Sequence, residues 1–418
     1  MKRLVWLFVL ALGFFLAACG GAAPTGGNGN SGNGNNGNGG GGGDGDVTVT
    51  VSTITGTPTA AAYRVGGGAW QTASDPTNFS FIVTDGGSYD TAILCSNKDL
   101  FLYSLTTNDI SSLKVDCGAP ISTIAFGVKY DVSALNGVST VQLFHKGSGE
   151  SGEKKAVGSS LTGSINVTNG IAGKQDLVLL ALDSSNPPKV LAAGMRTVDV
   201  INNDEYFIPI LGVGTATFPD FSAELPGGYS PVWMVYAITP NKTRAIEGMG
   251  ENTGGAGRDY YTYSFADHEL FIAGGETFGY EVYAVFSSSQ GAPAISLPAP
   301  INPAVGGSPI KISGLDQSPN LLVYNIGLFW GPTFTPNVLV SKNYLGDDTS
   351  YTMPDLTSLS GFANTQPTSG DNVTITISAI QSNLSPSEFA SLGKNFFYAL
   401  PAGKYLKYST RKFDYLVP

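Results

Sequence analysis

From Val47 onward, apolar side chains recur at every second position in short runs that end at Gly, Pro, Asn, Asp or Ser. Val47, Val49 and Val51 begin the rhythm and Phe79, Phe81 and Val83 repeat it. The run Val373-Thr374-Ile375-Thr376-Ile377-Ser378-Ala379-Ile380 carries it furthest. A period of two puts one set of side chains on one face of a strand, and a helix cannot keep such a set together. The chain is therefore expected to be all-β with little helix. The one clear helical signal is short: Ser385 at the N-cap, Pro386 at the first helical position, Glu388 placed for a capping box, and Gly393 as a stop. It predicts a helix near 386–392.

Further strands are expected at Leu100 to Leu105, Leu113 to Cys117, Ile124 to Tyr130, Val141 to His145, Leu161 to Val167, Val232 to Ile238 and Leu321 to Phe329. Asp176 to Leu182 is apolar on both faces and reads as a central strand. Asp85-Gly86-Gly87, between Phe79–Val83 and Tyr89–Leu94, reads as the turn of a hairpin. Tyr261, Tyr263 and Phe265 alternate as one aromatic face. Past Pro293 the chain turns proline-rich, which marks a boundary.

Phe79-Ser80-Phe81-Ile82-Val83 followed by Gly87-Ser88-Tyr89 resembles the strand-turn-strand of carboxypeptidase-regulatory-like, transthyretin-like and immunoglobulin-like modules. The region from Pro293 to about 384 resembles a fibronectin type III or related Ig-like module, with Val373 where the usual strand tyrosine would stand. These likenesses imply two or three β-sandwich modules in series. The expected division is 47–120 for a first sandwich and 121–292 for a β-rich region with a further split near 201 left open. An Ig-like or fibronectin type III-like module is expected at 293–418.

The amino terminus gives an address. Lys2 and Arg3 precede an apolar run from Leu4 to Leu16, and Leu16-Ala17-Ala18-Cys19 follows. The run is too short for a span, which needs about 20 apolar residues. These residues resemble the lipobox of bacterial lipoproteins. The resemblance implies a signal peptide at 1–18, lipid on the Cys19 sulfur, cleavage before it and acylation of the new amino terminus. Two or more acyl chains make anchoring stable where one is marginal. Gly20 follows where an aspartate would favour inner-membrane retention, so the expected destination is the outer surface of the cell envelope. Residues 19–46 form the tether, and Gly20 to Asp46 holds 14 Gly and 6 Asn in 27 residues. Such a chain buries too little to fold, and as a coil it spans about 30 Å.

Loss of Lys2 and Arg3 would leave 20 basic against 32 acidic residues, a net charge of −12. Nucleic acid, which needs a basic face, is therefore not an expected partner. Charged residues make up only 13% of the chain and hydrophobic ones 42%, which fits folded modules with neutral polar surfaces. With Cys19 committed to lipid, Cys95 and Cys117 remain, and in an oxidising compartment they should pair. In a simple three-strand meander the outer strands lie about 9.6 Å apart. A disulfide needs Cα atoms within about 7 Å. So either the middle strand leaves the sheet, or the cysteines face each other across a sandwich.

No catalytic constellation emerges. His145 and His268 are the only histidines and sit far apart; Asp267-His268-Glu269 reads as a solvated turn. Gly147-Ser148-Gly149-Glu150-Ser151-Gly152-Glu153-Lys154 nearly spells a phosphate loop, but its lysine falls one place late and no helix is expected after it. Ser111-Ser112-Leu113-Lys114 and Ser391-Leu392-Gly393-Lys394 have Ser-x-x-Lys spacing without a Lys-Thr-Gly partner. Asn202-Asn203-Asp204-Glu205 and Asp347-Asp348 are oxygen-rich but lack a calcium-loop spacing. No metal or cofactor is expected. Trp233 and Trp330, in strands apolar on both faces, read as core residues, while Trp70, in Gly67-Gly68-Ala69-Trp70, is the one named contact candidate. The expected function is a non-enzymatic binding or structural role, with membrane contact through lipid and an envelope glycan or protein as further partner. A carbohydrate-binding or adhesion module is one alternative, and an extracytoplasmic hydrolase without a recognisable motif is another.

Overall fold

A computed structural model describes residues 45–418 apart from 119–122, 149–151, 187, 219–229, 242, 252–257, 276–279, 288–297, 331–334, 364, 392–399 and 402. The chain is mostly strand, arranged in several sheets, and it divides into two compact units. One unit contains 120–300 and 394–409; the other contains 21–119, 301–393 and 410–418.

The first strands are β1 (Asp46–Thr55), β2 (Pro58–Val65), β3 (Gln71–Thr72), β4 (Asn78–Thr84), β5 (Ser88–Cys95), β6 (Asp99–Thr106) and β7 (Ser112–Asp116). β1 lies between β4, to which it is antiparallel, and β7, to which it is parallel. β5 belongs to a different sheet, where it pairs with β2 and β6. The Asp85-Gly86-Gly87 turn therefore does not close a hairpin; it carries the chain from one sheet to the other. Phe81 and Val83 of β4 and Tyr89 and Ile93 of β5 fill the same core, with Phe81 and Tyr89 edge to face at 5.6 Å. Burying the apolar face of each strand against the other requires two facing sheets. Glycine is needed here: Gly86 has φ +69°, and a Cβ on Gly87 would lie 2.6 Å from the Thr84 hydroxyl.

The same arrangement answers the cysteine question. Cys95 ends β5 and Cys117 follows β7, in opposite sheets, and they form a disulfide with Cα atoms 5.3 Å apart. The pair faces across a sandwich, as one of the two expected geometries required.

The 120–300 region opens with β8 (Thr123–Asp131), β9 (Thr140–Phe144), β10 (Glu153–Ala156), β11 (Thr162–Ile171), β12 (Gly173–Leu182), β13 (Val190–Val200) and β14 (Glu205–Phe207). They build two sheets, ordered β10-β9-β12-β13 and β11-β8-β14. Leu177, Leu179 and Ala181 of β12 enter a core with Phe126, Val128 and Ile165 of the facing sheet. Val178, Leu180 and Leu182 point the other way, into a second cluster with Ala237, Ala245 and Tyr263. Both faces of β12 are covered, which is why its sequence does not alternate.

The region continues with β15 (Gly214–Phe218), β16 (Ser230–Ile238), β17 (Arg244–Glu251), β18 (Arg258–Thr262), β19 (Asp267–Gly275) and β20 (Tyr280–Ser287). β15 pairs with β18, and an antiparallel sheet runs β17-β16-β19-β20. The aromatic alternation ends early: β18 stops at Thr262, and Tyr263 and Phe265 stack at 5.2 Å beyond it. β19 begins at Asp267, so Asp267-His268-Glu269 is strand backbone paired with β16 and not a turn.

The last elements are β21 (Ala304–Gly306), β22 (Lys311–Ser313), β23 (Leu321–Phe329), β24 (Thr335–Ser341), α1 (Lys342–Leu345), β25 (Ser350–Thr352), β26 (Asn372–Ser382), α2 (Pro386–Ser391) and β27 (Tyr405–Leu416). β24 pairs in parallel with β6, Leu339 opposite Tyr103. The sheet that began with β2, β5 and β6 thus runs β26-β23-β24-β6-β5-β2-β3. Its second face, with Ala62, Ala92, Leu100 and Leu102, packs on Ile310, Ile312 and Tyr351 of the β21-β22-β25 sheet region. This unit is layered, a long sheet with a three-stranded sheet on each face. The capping box of α2 forms as its residues predict: Glu388 N–H donates to Ser385 Oγ at 3.2 Å, and Ser385 N–H donates to Glu388 Oε2 at 2.7 Å.

Candidate functional site

A charge kept out of water needs a reason, and the carboxylates of Asp90 and Asp109 are buried. Asp90 accepts from Arg64 Nε at 2.7 Å, from Ser104 Oγ at 2.6 Å and from Tyr344 OH at 3.1 Å. Burial, with Asp90 beside it, pushes the Tyr344 phenol up to about 12, so it stays protonated and donates. Asp109 accepts from Thr106 N–H and Oγ1, both at 2.9 Å, from Ser341 Oγ, and from Asn343 Nδ2 at 2.7 Å. Both carboxylates bind α1 or the residue before it to the strands β5 and β6. Ser104 is 1% exposed, so its hydroxyl is out of reach of a substrate.

The motif-like segments resolve into scaffold. Where a phosphate loop needs a helix, β9 is followed by a turn and the antiparallel strand β10. Ser111 is exposed just before strand β7 and Lys114 is exposed within it, without the helical turn that would bring the serine and lysine together. Lys394 lies outside the described residues. Glu205 is held by Lys129 at 2.5 Å. Among the described residues there is no group of three or more His, Cys, Asp or Glu that could hold a metal. Cys19 also lies outside the described residues, as do the side chains of Trp233, Tyr260 and His268.

His145 is 3% exposed, with Nδ1 2.9 Å from the Lys146 carbonyl and Nε2 enclosed without a partner among the described residues. Burial pushes its pKa below the ordinary value; the Lys146 carbonyl and the Glu153 carboxylate oppose this only in part. The unfolded imidazole titrates near about 6.5. Stability is therefore full above that pH and falls as the pH drops towards the lower folded value, because only the unfolded state takes up the proton. Replacement by phenylalanine should flatten the melting-temperature profile between about pH 6.5 and 5. An unchanged slope would remove His145 from the acid response.

A concavity lies in the unit built from 21–119, 301–393 and 410–418. It is an open cavity of about 240 Å³. Buried Leu100, Leu102, Leu328 and Val417 form its floor. Half-buried Trp330 lines one wall, and Asp355, Thr357, Thr365, Gln366 and Thr368 contribute the polar lining. β6 and β23 position the floor because their alternate residues already face that side of the sheet. Asp355 Oδ1 accepts from Thr357 N–H at 2.9 Å and Oγ1 at 2.7 Å, and these bonds hold its carboxyl below the usual range.

Trp330, expected in the core, packs against the apolar cluster and also lines this cavity. Trp70, expected to be exposed, is half-buried, with the Arg64 guanidinium 5.0 Å above its ring and its Nε1 enclosed without a partner among the described residues. The sequence carried no signal for Asp355 or Gln366 as site residues. Compared with protein-family models and with curated proteins, the chain matches none.

Proposed function

We propose that this chain is a lipid-anchored surface protein of the cell envelope, on the extracytoplasmic side, with a binding or structural role and no covalent chemistry of its own. The observation that carries the location is the Cys95–Cys117 disulfide, since such bonds persist in oxidising compartments. Among the described residues no helix is long and apolar enough to cross a membrane; in this reading the lipobox-like Leu16-Ala17-Ala18-Cys19 supplies the anchor. The buried carboxylates Asp90 and Asp109 spend their acceptors on Arg64, Ser104, Thr106, Ser341 and Asn343, so in this reading they serve the scaffold. Gly20, in place of an aspartate, supports the outer surface as the destination.

Replacing Cys19 with alanine in the native host tests the anchor. The variant should leave the membrane fraction and appear as a soluble, released protein, while wild type requires detergent. Persistence of the variant in membranes after a high-salt wash would refute lipid anchoring.

A further inference from the structure

We propose that the cavity beside Trp330 binds a single uncharged sugar ring, such as the terminal residue of a glycan. The proposal rests on the binding reading above and names its ligand class. Volume limits the occupant first. Pockets for drug-sized ligands measure about 300 to 1,000 Å³. At about 240 Å³ this one has room for one ring and not for a chain.

The lining then decides the chemistry. Among the described residues it holds one carboxylate, Asp355, and no Lys, Arg or His. An anionic ligand would meet repulsion there and no compensating cation. The threonine hydroxyls have also already spent their protons. Thr357 Oγ1 donates to Asp355 at 2.7 Å, Thr365 Oγ1 to the Phe362 carbonyl at 2.7 Å, and Thr368 Oγ1 to Asp371 at 3.0 Å. The Gln366 amide nitrogen donates to the Pro354 carbonyl, which leaves its oxygen as an acceptor. What remains facing a ligand is mostly oxygen lone pairs, with the Ser308 hydroxyl and the second N–H of Gln366 as donors. A ligand that satisfies them must bring several O–H or N–H donors. Trp330 supplies the complementary surface: the C–H face of a sugar ring carries slight positive charge and lies well on the negative face of an indole. A quaternary ammonium would be attracted by Asp355 and Trp330, but it has no donors for the threonine and glutamine oxygens, and Trp330 is the one aromatic residue of the lining among the described residues.

The test uses the full-length lipidated protein in a polyoxyethylene detergent, which carries no sugar headgroup. Saturation-transfer NMR and tryptophan fluorescence would be read against glucose, galactose, mannose, N-acetylglucosamine, glucuronate and choline. At least one neutral sugar should bind saturably in the millimolar range, with glucuronate and choline about tenfold weaker or more. Trp330→Ala should weaken the neutral sugar by about tenfold or more. Asp355→Asn keeps the shape of the loop; it should weaken the neutral sugar and narrow the gap to glucuronate. Should Trp330→Ala unfold, Asp355→Asn decides alone through that gap. The proposal is overturned if no neutral sugar binds, if glucuronate or choline binds as well or better, or if binding survives in a folded Trp330→Ala. Envelope binding that persists while all sugars fail would overturn the ligand class and leave the binding reading standing.

Discussion

Asp176→Ala should lower the stability of the unit that holds residues 120–300 by about 1 to 3 kcal/mol, the cost of leaving hydrogen-bond donors of a buried site without their acceptor. Asp176 is fully buried at the start of the apolar stretch of β12. Its carboxylate accepts from Thr197 Oγ1 at 2.5 Å and from Asn241 N–H and Nδ2, both at 2.8 Å. One side chain thus fastens β13 and the turn between β16 and β17 to the central strand. Removal leaves the half-buried Asn241 donors without their acceptor, at about 1 to 3 kcal/mol, while the exposed Thr197 hydroxyl can turn to water. Burial pushes the Asp176 pKa up, but the hydrogen bonds from Thr197, Asn241 and Thr239 together outweigh it and hold the group below the ordinary carboxylate value. With the folded pKa below the unfolded one, this stabilisation is full above about pH 4 and is lost as the pH falls through the folded value. Asp176→Asn keeps the shape but presents an NH₂ to donors, so it too should destabilise and should lose that acid dependence. Chemical denaturation of both variants at pH 7 and pH 3 measures this. A change below 1 kcal/mol for Asp176→Ala at pH 7 would mean that the network contributes little.

The second large effect belongs to the other unit. Replacing Cys95 and Cys117 together with alanine should cost about 3 kcal/mol on the chain-entropy model for a closed loop of this size. That corresponds to a loss of about 6 to 12 °C in melting temperature for a unit of 150 to 250 residues. Alanine is the suitable replacement because both sulfurs are buried, at 2% and 0% exposure, and a serine hydroxyl would add a polar penalty of its own. Calorimetry of wild type with and without reductant supplies a control that changes no residue. Coincident melts for oxidised and reduced protein would show that the bond adds nothing to stability.

Much of the local structure was legible because its causes are local. Ser385, Pro386 and Glu388 announce α2 since a cap is made by neighbours in sequence. β12 announces a central position because both of its faces must be apolar. The disulfide constrained topology before any coordinates, because the spacing of strands excludes a bond across a three-strand meander. The Asp85-Gly86-Gly87 turn was misread for the opposite reason: glycine permits the bend, but which sheet receives β5 depends on where Phe81 and Tyr89 are buried. The β6–β24 pairing was illegible altogether, since register between distant strands leaves no mark in either one alone. The cavity shares that origin. Leu100 and Leu102 come from one end of the chain and Trp330, Asp355 and Gln366 from near the other, so only the fold makes them neighbours. Trp70 stood out because of its glycine-rich surroundings, yet its exposure is set by Arg64, which lies across its ring.

The parallel seam between β6 and β24, with the bond from Ser341 to Asp109 spanning 232 residues, also sets a schedule. A chain made amino terminus first presents β2, β5 and β6 long before β24 arrives. Through that interval β6 has an open edge, the kind of surface on which strands from other chains add. The layer cannot close until β24 has emerged, so a chaperone that shields exposed strands should matter most during that interval. Truncation before residue 335 should strand the amino-terminal strands in that aggregation-prone condition, even though every residue of β1 to β7 would still be present.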